Sequence, residues 1–322
     1  MPAFLRHPLA AFTLRRIGYS LVVLFGVMVV VFLMLQLVPG DPVRIALGTR
    51  YTEEAYQALR TASGLDRPPV EQFFSYLGGV VTGDLGVSFR SGQPVTVLLL
   101  ERLPASLSLG VTAVVVALLI AIPAGTWAAS REGRPADAAV RVTSQFGVSI
   151  PDFWLGVLLI LVFSANLGLL PSSGYVALTD NPAGWARSVI LPAATAALVA
   201  AAILTRYVRA AVLDVAAAGH VRTARSKGLA APVVLRRHVL RNATLPILTI
   251  TGIQMATIMS GLIVVEAVFA WPGLGRLVLD AVNARDYPVI QGAILFIAAL
   301  FLWINFTVDL LSALVDPRIR VG

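Results

Sequence analysis

Cysteine is absent from the chain, so disulfides, thiolate metal sites and cysteine nucleophiles are excluded together. Histidine is scarce: His7, His220 and His238 are too few and too scattered for an imidazole metal cage. Charge is scarce as well. Asp, Glu, Lys and Arg make up 13% of the 322 residues, where a soluble domain carries about 25%. That shortage excludes a disordered chain, a coiled coil and an ordinary soluble enzyme. What is present is apolar, with 57% hydrophobic residues and a mean hydropathy of +0.83. The composition is that of a membrane protein.

A bilayer core of about 30 Å takes about 20 apolar residues in a helix. Six runs meet that length: 17–38, 103–129, 146–170, 189–212, 245–269 and 288–315. The expectation is an all-α membrane protein with six transmembrane helices. The first run is too long for a signal-peptide core and lacks a small-x-small pattern before Pro39-Gly40-Asp41-Pro42, so it is read as a retained helix. Pro123, Pro151 and Pro192 are expected to kink or start helices.

The net charge is +8, and its distribution decides what it means. An inside N-terminus puts Arg6, Arg15 and Arg16 on the cytoplasmic side, followed by Arg131, Arg134 and Arg141. The segment between the fourth and fifth runs adds Arg206, Arg209, Arg222, Arg225, Lys227, Arg236, Arg237 and Arg241, and the end of the chain adds Arg318 and Arg320. Short basic flanks of this kind set orientation, whereas long segments cross largely regardless of charge. Both termini are therefore expected in the cytoplasm. The charge is topological and does not signal nucleic acid.

Two segments exceed what a connection needs. Residues 39–102 have ordinary soluble composition, with an expected helix over 52–63 capped by Thr52 and a second over 71–81. This segment is either a decoration on the outer helix ends or a docking surface for an extracytoplasmic partner. Residues 206–242 are basic. On a helix over 217–228, Ala217, Val221, Ala224 and Gly228 share one stripe of small side chains, flanked by Arg222 and Arg225 on one side and Lys227 on the other. Gly228 is a natural helix stop, and Pro232 fits the first turn of a further helix to about residue 242. A basic surface helix and a helix that docks into a partner's cleft both fit this pattern.

The stretch HVRTARSKGLAAPVVLRRHVLRNATLP resembles the coupling loop of binding-protein-dependent ABC importer permeases of the dipeptide/oligopeptide branch. Thr223, Ala224, Arg225, Lys227, Gly228, Leu229, His238, Arg241, Asn242, Ala243, Leu245 and Pro246 match that branch's pattern. His220 departs from its usual acid and Val221 from its frequent aromatic. Further matching stretches are LVPGDPVRIALG, LDRPPVEQFFSYLGGVVTGDLGVSF, RLPASLSLG, VVEAVFAWPGLGRLVLDAVNARDYPVIQG and VDPRIR, in the family's order along the chain.

The resemblance implies the type I importer permease fold with a large extracytoplasmic insertion between helices 1 and 2. It divides the chain into 1–102 (first helix and outer segment), 103–315 (permease core, coupling loop about 206–245) and a cytoplasmic tail 316–322. It implies four kinds of partner: a second homologous permease, two cytoplasmic ATPase domains, an extracytoplasmic substrate-binding protein and the bilayer. Coupling to an ATPase domain would fall to Ala217, Val221, Arg222, Thr223, Ala224, Arg225, Lys227 and Gly228. The chain has no Gly-x-x-x-x-Gly-Lys-Ser/Thr loop, so ATP and Mg would be bound by the ATPase partners. No catalytic residue, metal ligand or cofactor is expected in the chain itself.

Polar residues within the runs are the remaining candidates. Glu266 is read as a structural pairing residue reaching headgroups or Arg276, ahead of substrate contact. Asn305 and Asp309, one turn apart, are read as interhelical bonding groups. Asp152 is read as a helix cap and Gln254 as a mid-span group facing the translocation path. Trp154 and Trp185 are read as interface residues. The expected cargo is a di- or oligopeptide, with nickel or glutathione importers as close variants. An ion-coupled secondary transporter would want a mid-membrane carboxylate cluster or paired broken helices, and a membrane hydrolase a nucleophile–base pair; neither is visible in the sequence.

Overall fold

Regular structure in this protein is helical, because a chain in lipid must satisfy its backbone polar groups within itself. The computed structural model describes residues 8–315. Among them the sole strand-like pairing is a single bridge between Val87 and Pro94. Arg6, Arg318, Arg320 and the expected tail 316–322 lie outside the described residues.

Helix α1 (Pro8–Leu37) is the first apolar segment, and only 17% of its most hydrophobic window is buried in the protein. Three short helices follow: α2 (Pro42–Leu47), α3 (Glu53–Ala62) and α4 (Pro69–Thr82). The Thr52 hydroxyl accepts from the amide of Ala55 at 3.1 Å, so the expected cap of α3 is present. Gly83 closes α4 with φ +82, a left-handed turn a side chain would resist. Helix α5 (Val95–Ala129) starts eight residues before the expected run and passes through Glu101, Arg102, Pro104 and Pro123. Hydropathy stops at charged residues; the backbone does not.

The third run is corrected most. Instead of one span over 146–170 there are α6 (Pro135–Ser149) and α7 (Asp152–Leu159), the latter closing in a π turn over Ile160–Asn166. The two helices are bent by 99° at the break. Pro151 lacks an amide hydrogen and crowds its predecessor, and Ile150 accordingly adopts φ −88, ψ 123. Pro123 and Pro192, by contrast, lie inside continuous helices.

Helix α8 (Pro182–Ala216) begins with Asn181, whose side chain accepts from Gly184 N at 2.9 Å. After α9 (Gly219–Ser226) comes a second correction. The helix beginning at Ala231 does not end near residue 242. It runs from α10 (Ala231–Val233) through a π turn (Val234–Leu240) into α11 (Arg241–Val268) as one 38-residue rod. The chain finishes with α12 (Leu274–Ala284) and α13 (Tyr287–Val315). Five helices are thus long and apolar enough to cross a membrane, or six when the bent pair is taken as one span. The protein is a multi-pass membrane protein.

The chain separates into two compact units. One consists chiefly of Leu107–Trp271 and is built around α8, with α6, α7 and α11 packed on it. Small residues make this packing close, as lipid gives apolar side chains no drive to associate. Ala193, Ala197, Ala200 and Ala201 on α8 are buried. A Cβ placed on Gly125 would lie 2.7 Å from the Thr205 carbonyl, so only glycine lets α5 sit this near α8.

The other unit comprises Thr13–Ser106 and Pro272–Leu302. Its core contains Val95, Leu99, Leu274, Val289 and Ala293. Phe73 of α4 packs edge-on against Phe25 and Phe32 of α1 at 6.2 and 5.3 Å. Buried Asp286 accepts from the Ser88 hydroxyl at 2.5 Å and from the Phe89 amide at 3.1 Å. The Ser106 hydroxyl oxygen accepts from Leu274 N at 2.8 Å.

Candidate functional site

The basic loop is built from the end of α8 outward. Ala217 caps α8, and Ala218, in extended conformation, starts α9. Within α9, Val221 is 0% and Ala224 5% exposed. They pack in one cluster with Val208 and Val212 of α8, Val234 and Val239 of the π turn, and Ala243 of α11. The small-residue stripe therefore does not face outward as a docking surface, which corrects the expectation for Val221 and Ala224. Ala217 and Gly228 are exposed and stand off the helix at either end. Gly228 takes φ +75 and stops the segment, as the sequence implies.

The outward face is charged. Arg222, Thr223, Arg225 and Lys227 are exposed on α9 and its end, and Arg236, Arg237 and Arg241 are exposed on the neighbouring rod. None of these six basic side chains has an ion-pair partner among the described residues. Thr223 is turned back on the helix, its hydroxyl donating to Gly219 O at 3.1 Å. His220 Nε2 lies 3.5 Å from Asn242 Nδ2, which donates to His238 O at 2.6 Å. His220 remains exposed beside the rod.

A second grouping lies at the bend. Asp152 is the first residue of α7; Pro151 is the cap and no side chain caps the helix, which corrects the reading of Asp152 as a cap. With Gln254, Thr257, Gly261, Ala200 and Val265 it lines a cavity of about 40 Å³. Gln254 is 8% exposed and its Oε1 has no hydrogen-bond partner among the described residues. A Cβ on Gly261 would lie 3.3 Å from Asp152 Oδ2, a close approach that glycine permits.

A model for the binding-protein-dependent transport system inner membrane component matches residues 121–321. A model for the N-terminal part of such membrane components matches residues 9–110. The chain belongs to this family. It is 38% identical over 333 residues to the dipeptide transport system permease protein of Escherichia coli (strain K12), covering 96% of this chain and 98% of that protein. It is 39% identical over 315 residues to an oligopeptide transport system permease protein of Bacillus subtilis (strain 168), covering 97% of this chain and 100% of that protein.

Glu266 is 0% exposed, so contact with lipid headgroups is excluded. Its carbonyl accepts from Trp271 N at 2.8 Å, and it lies twelve residues beyond Gln254, about 18 Å along the helix. Arg276 is ion-paired with Asp280 on its own helix at 3.9 Å. Asn305 and Asp309 are half-buried on α13. Trp154 is exposed, and the Nε1 of Trp185 is buried with no hydrogen-bond partner among the described residues.

The sequence reading missed two networks. Asp137, 1% exposed at the start of α6, accepts from Arg209 of α8 at 2.6 and 2.8 Å and from Gly133 N at 3.1 Å. Arg209 had counted only as a topological charge; the signal was an acid in the first turn of α6, among Arg131, Arg134 and Arg141. In the N-terminal part, Asp41 caps α2 through Val43 N and Arg44 N at 2.9 and 3.2 Å. It also accepts from the Tyr56 hydroxyl at 2.5 Å, and Arg60 donates to that oxygen at 2.6 Å. Burial pushes the Asp41 carboxyl up, but the Tyr56 bond and the two amides outweigh it and hold its pKa below the usual value.

Proposed function

We propose that this chain is a permease subunit of an ATP-driven importer of di- or oligopeptides and forms half of the translocation pathway. Membership of the family, and relatives whose names specify dipeptide and oligopeptide transport, support the cargo class. The bent pair α6–α7 counts as the third of six spans in a type I permease fold. Both termini lie in the cytoplasm, and residues 39–102 form an extracytoplasmic insertion that meets the substrate-binding protein. A homologous permease supplies the other half of the pathway. Two ATPase domains bind ATP and Mg, and this chain hydrolyses nothing.

The observation that carries the mechanism is the unpaired basic face of α9 above an anchored base. Arg222, Arg225 and Lys227 engage the ATPase subunit, with Thr223, Ala217 and Gly228 at the margins of the contact. Val221 and Ala224 act from beneath, holding α9 to α8 and the α10–α11 rod. Nucleotide-driven movement of the ATPase is thereby delivered to the spans. The reading is tested in proteoliposomes holding all subunits. Dipeptide uptake should require both ATP and the binding protein, and Arg225→Glu should reduce uptake at least tenfold without lowering the amount of assembled permease. Uptake by this chain alone, or nucleotide-independent uptake, would overturn it.

A further inference from the structure

Helix α4 carries more apolar surface than its own chain covers. Val70, Phe74, Leu77 and Val81 recur at spacings of four, three and four, so they form one stripe. Val70, Phe74 and Val81 are 66%, 63% and 79% exposed. The other sides of the helix have distinct surroundings. Phe73 packs on Phe25 and Phe32 of α1. Gln72, Tyr76 and Gly79 line a cavity together with Asp41 and Tyr287. Glu71, Ser75 and Thr82 make an exposed polar side, about half a turn round the helix from Phe73.

Depth decides what meets the stripe. Helix α1 is a span whose apolar segment ends at Leu37. Phe25 lies twelve residues and Phe32 five residues before that end, about 18 and 8 Å along the axis. Phe73 touches both rings, so this part of α4 lies below the end of the span and not above it. Gln36 Nε2 donates to Gln72 Oε1 at 3.1 Å, which holds the start of α4 beside the last turn of α1. Just past the other end of α4, Leu85 packs in one cluster with Leu35 of α1 and with Val289 and Ala293 of α13. Those two residues belong to the first turns of α13, the last span. Both ends of α4 are therefore tied to the same ends of two spans. Its 14 residues cover about 21 Å, so the helix runs across these span ends, along the membrane plane.

A helix at that level, with one apolar and one polar side, has the form of an interfacial membrane helix. Phe73 points down the span, the polar side opposite it faces water, and the stripe beside it faces outward at bilayer depth. Leu33 and Leu37 of α1, at a neighbouring level, are exposed in the same way. We propose that α4 is an in-plane membrane helix, with Val70, Phe74 and Val81 covered by lipid acyl chains of the leaflet on the Leu37 side. In the orientation proposed above this is the extracytoplasmic leaflet. The contact itself depends on neither the orientation nor the cargo.

The complete transporter in nanodiscs tests this. The chain lacks cysteine, so Val81→Cys places one thiol on the stripe and Ser75→Cys one on the polar side of the same helix. With the other subunits cysteine-free, each thiol is labelled with a nitrobenzoxadiazole reagent. The discs contain phosphatidylcholine spin-labelled high on its acyl chain. Quenching in the Val81→Cys variant should exceed that in Ser75→Cys at least threefold, and adding the binding protein should leave it unchanged. Phe74→Cys should behave as Val81→Cys does. Assembly, read by size exclusion, should match wild type, since Val81→Cys alters an exposed side chain of similar size. Equal quenching in the Val81→Cys and Ser75→Cys variants would overturn the proposed lie of the helix. No quenching in Val81→Cys would assign the stripe to water or, with a blue-shifted probe, to the homologous permease, and would overturn the lipid contact. Quenching lost on adding the binding protein would assign the stripe to that protein and overturn it equally.

Discussion

Asp137 and Arg209 meet in a two-point ion pair that joins the first turn of α6 to the C-terminal part of α8, with N–O distances of 2.6 and 2.8 Å. A planar guanidinium matches a carboxylate in this geometry, and a lysine would not. The pair also places a negative charge at a helix N-terminus, where the helix dipole favours it. It fixes the basic end of α8 beside the loop between α5 and α6, through the additional bond from Gly133 N.

Removing one partner should therefore hurt more than removing both. Asp137→Ala should lower the thermal unfolding midpoint of the detergent-purified chain by about 5 °C or more, because Arg209 is left without its partner. Asp137→Leu combined with Arg209→Met should recover most of that loss, as apolar replacement of a buried pair commonly does. Equal losses in the single and double variants would assign the effect to packing alone.

Ala224 and Arg225 are neighbours with opposite expectations. Ala224→Leu overfills the cluster beneath α9, which typically costs about 1–3 kcal/mol. Ala224→Glu adds desolvation of a charge and should be worse. Both should open α9 to limited proteolysis in the absence of any partner. Arg225→Ala touches only the exposed face, so its proteolysis should match wild type while transport by the whole complex falls.

The Asp41 network predicts a pH dependence of the α2–α3 region. A carboxyl whose pKa is lowered on folding contributes stability above its unfolded pKa, and loses it as the pH falls through the folded value. The ordinary value is 3.8, so amide protection of Val43 and Arg44 should be level above about pH 5. It should decline as the pH drops below the ordinary value. Tyr56→Phe removes the hydroxyl donor and should move that decline to higher pH. Hydrogen exchange, corrected for intrinsic rates, reads both.

Ser91 is exposed in the turn before α5. Ser91→Cys should react with an impermeant thiol reagent in intact cells whose outer membrane the reagent crosses. Labelling only after lysis would reverse the proposed orientation.

How far the sequence reached follows from the range of each interaction. Thr52 with its early glutamates placed α3 to within a residue, since a cap is settled by its nearest neighbours. The apolar runs located five of the long helices, whereas the run over 146–170 is broken at Pro151 into two helices bent by 99°. The stripe of Val221 and Ala224 was read correctly as a face, but small residues suit a helix pressed against its own protein as well as one pressed into another. Periodicity identifies a buried side without naming what buries it. Asp137 and Arg209 lie 72 residues apart, beyond any local rule. The continuity of the 38-residue rod escaped because the π turn carries exposed arginines through a stretch that hydropathy reads as a gap.

The seating of α9 has a mechanical consequence. One cluster holds Val221 and Ala224 together with valines from α8, from the π turn and an alanine from α11. Close-packed interiors compress little and pass strain onward. A load applied at Arg222 or Arg225 thus cannot be taken up by a yielding connection. It is passed to two long helices at once, α8 and the rod ending at Val268. The loop is therefore held as a fixed part of the packing between α8 and the rod, not as a hinged arm.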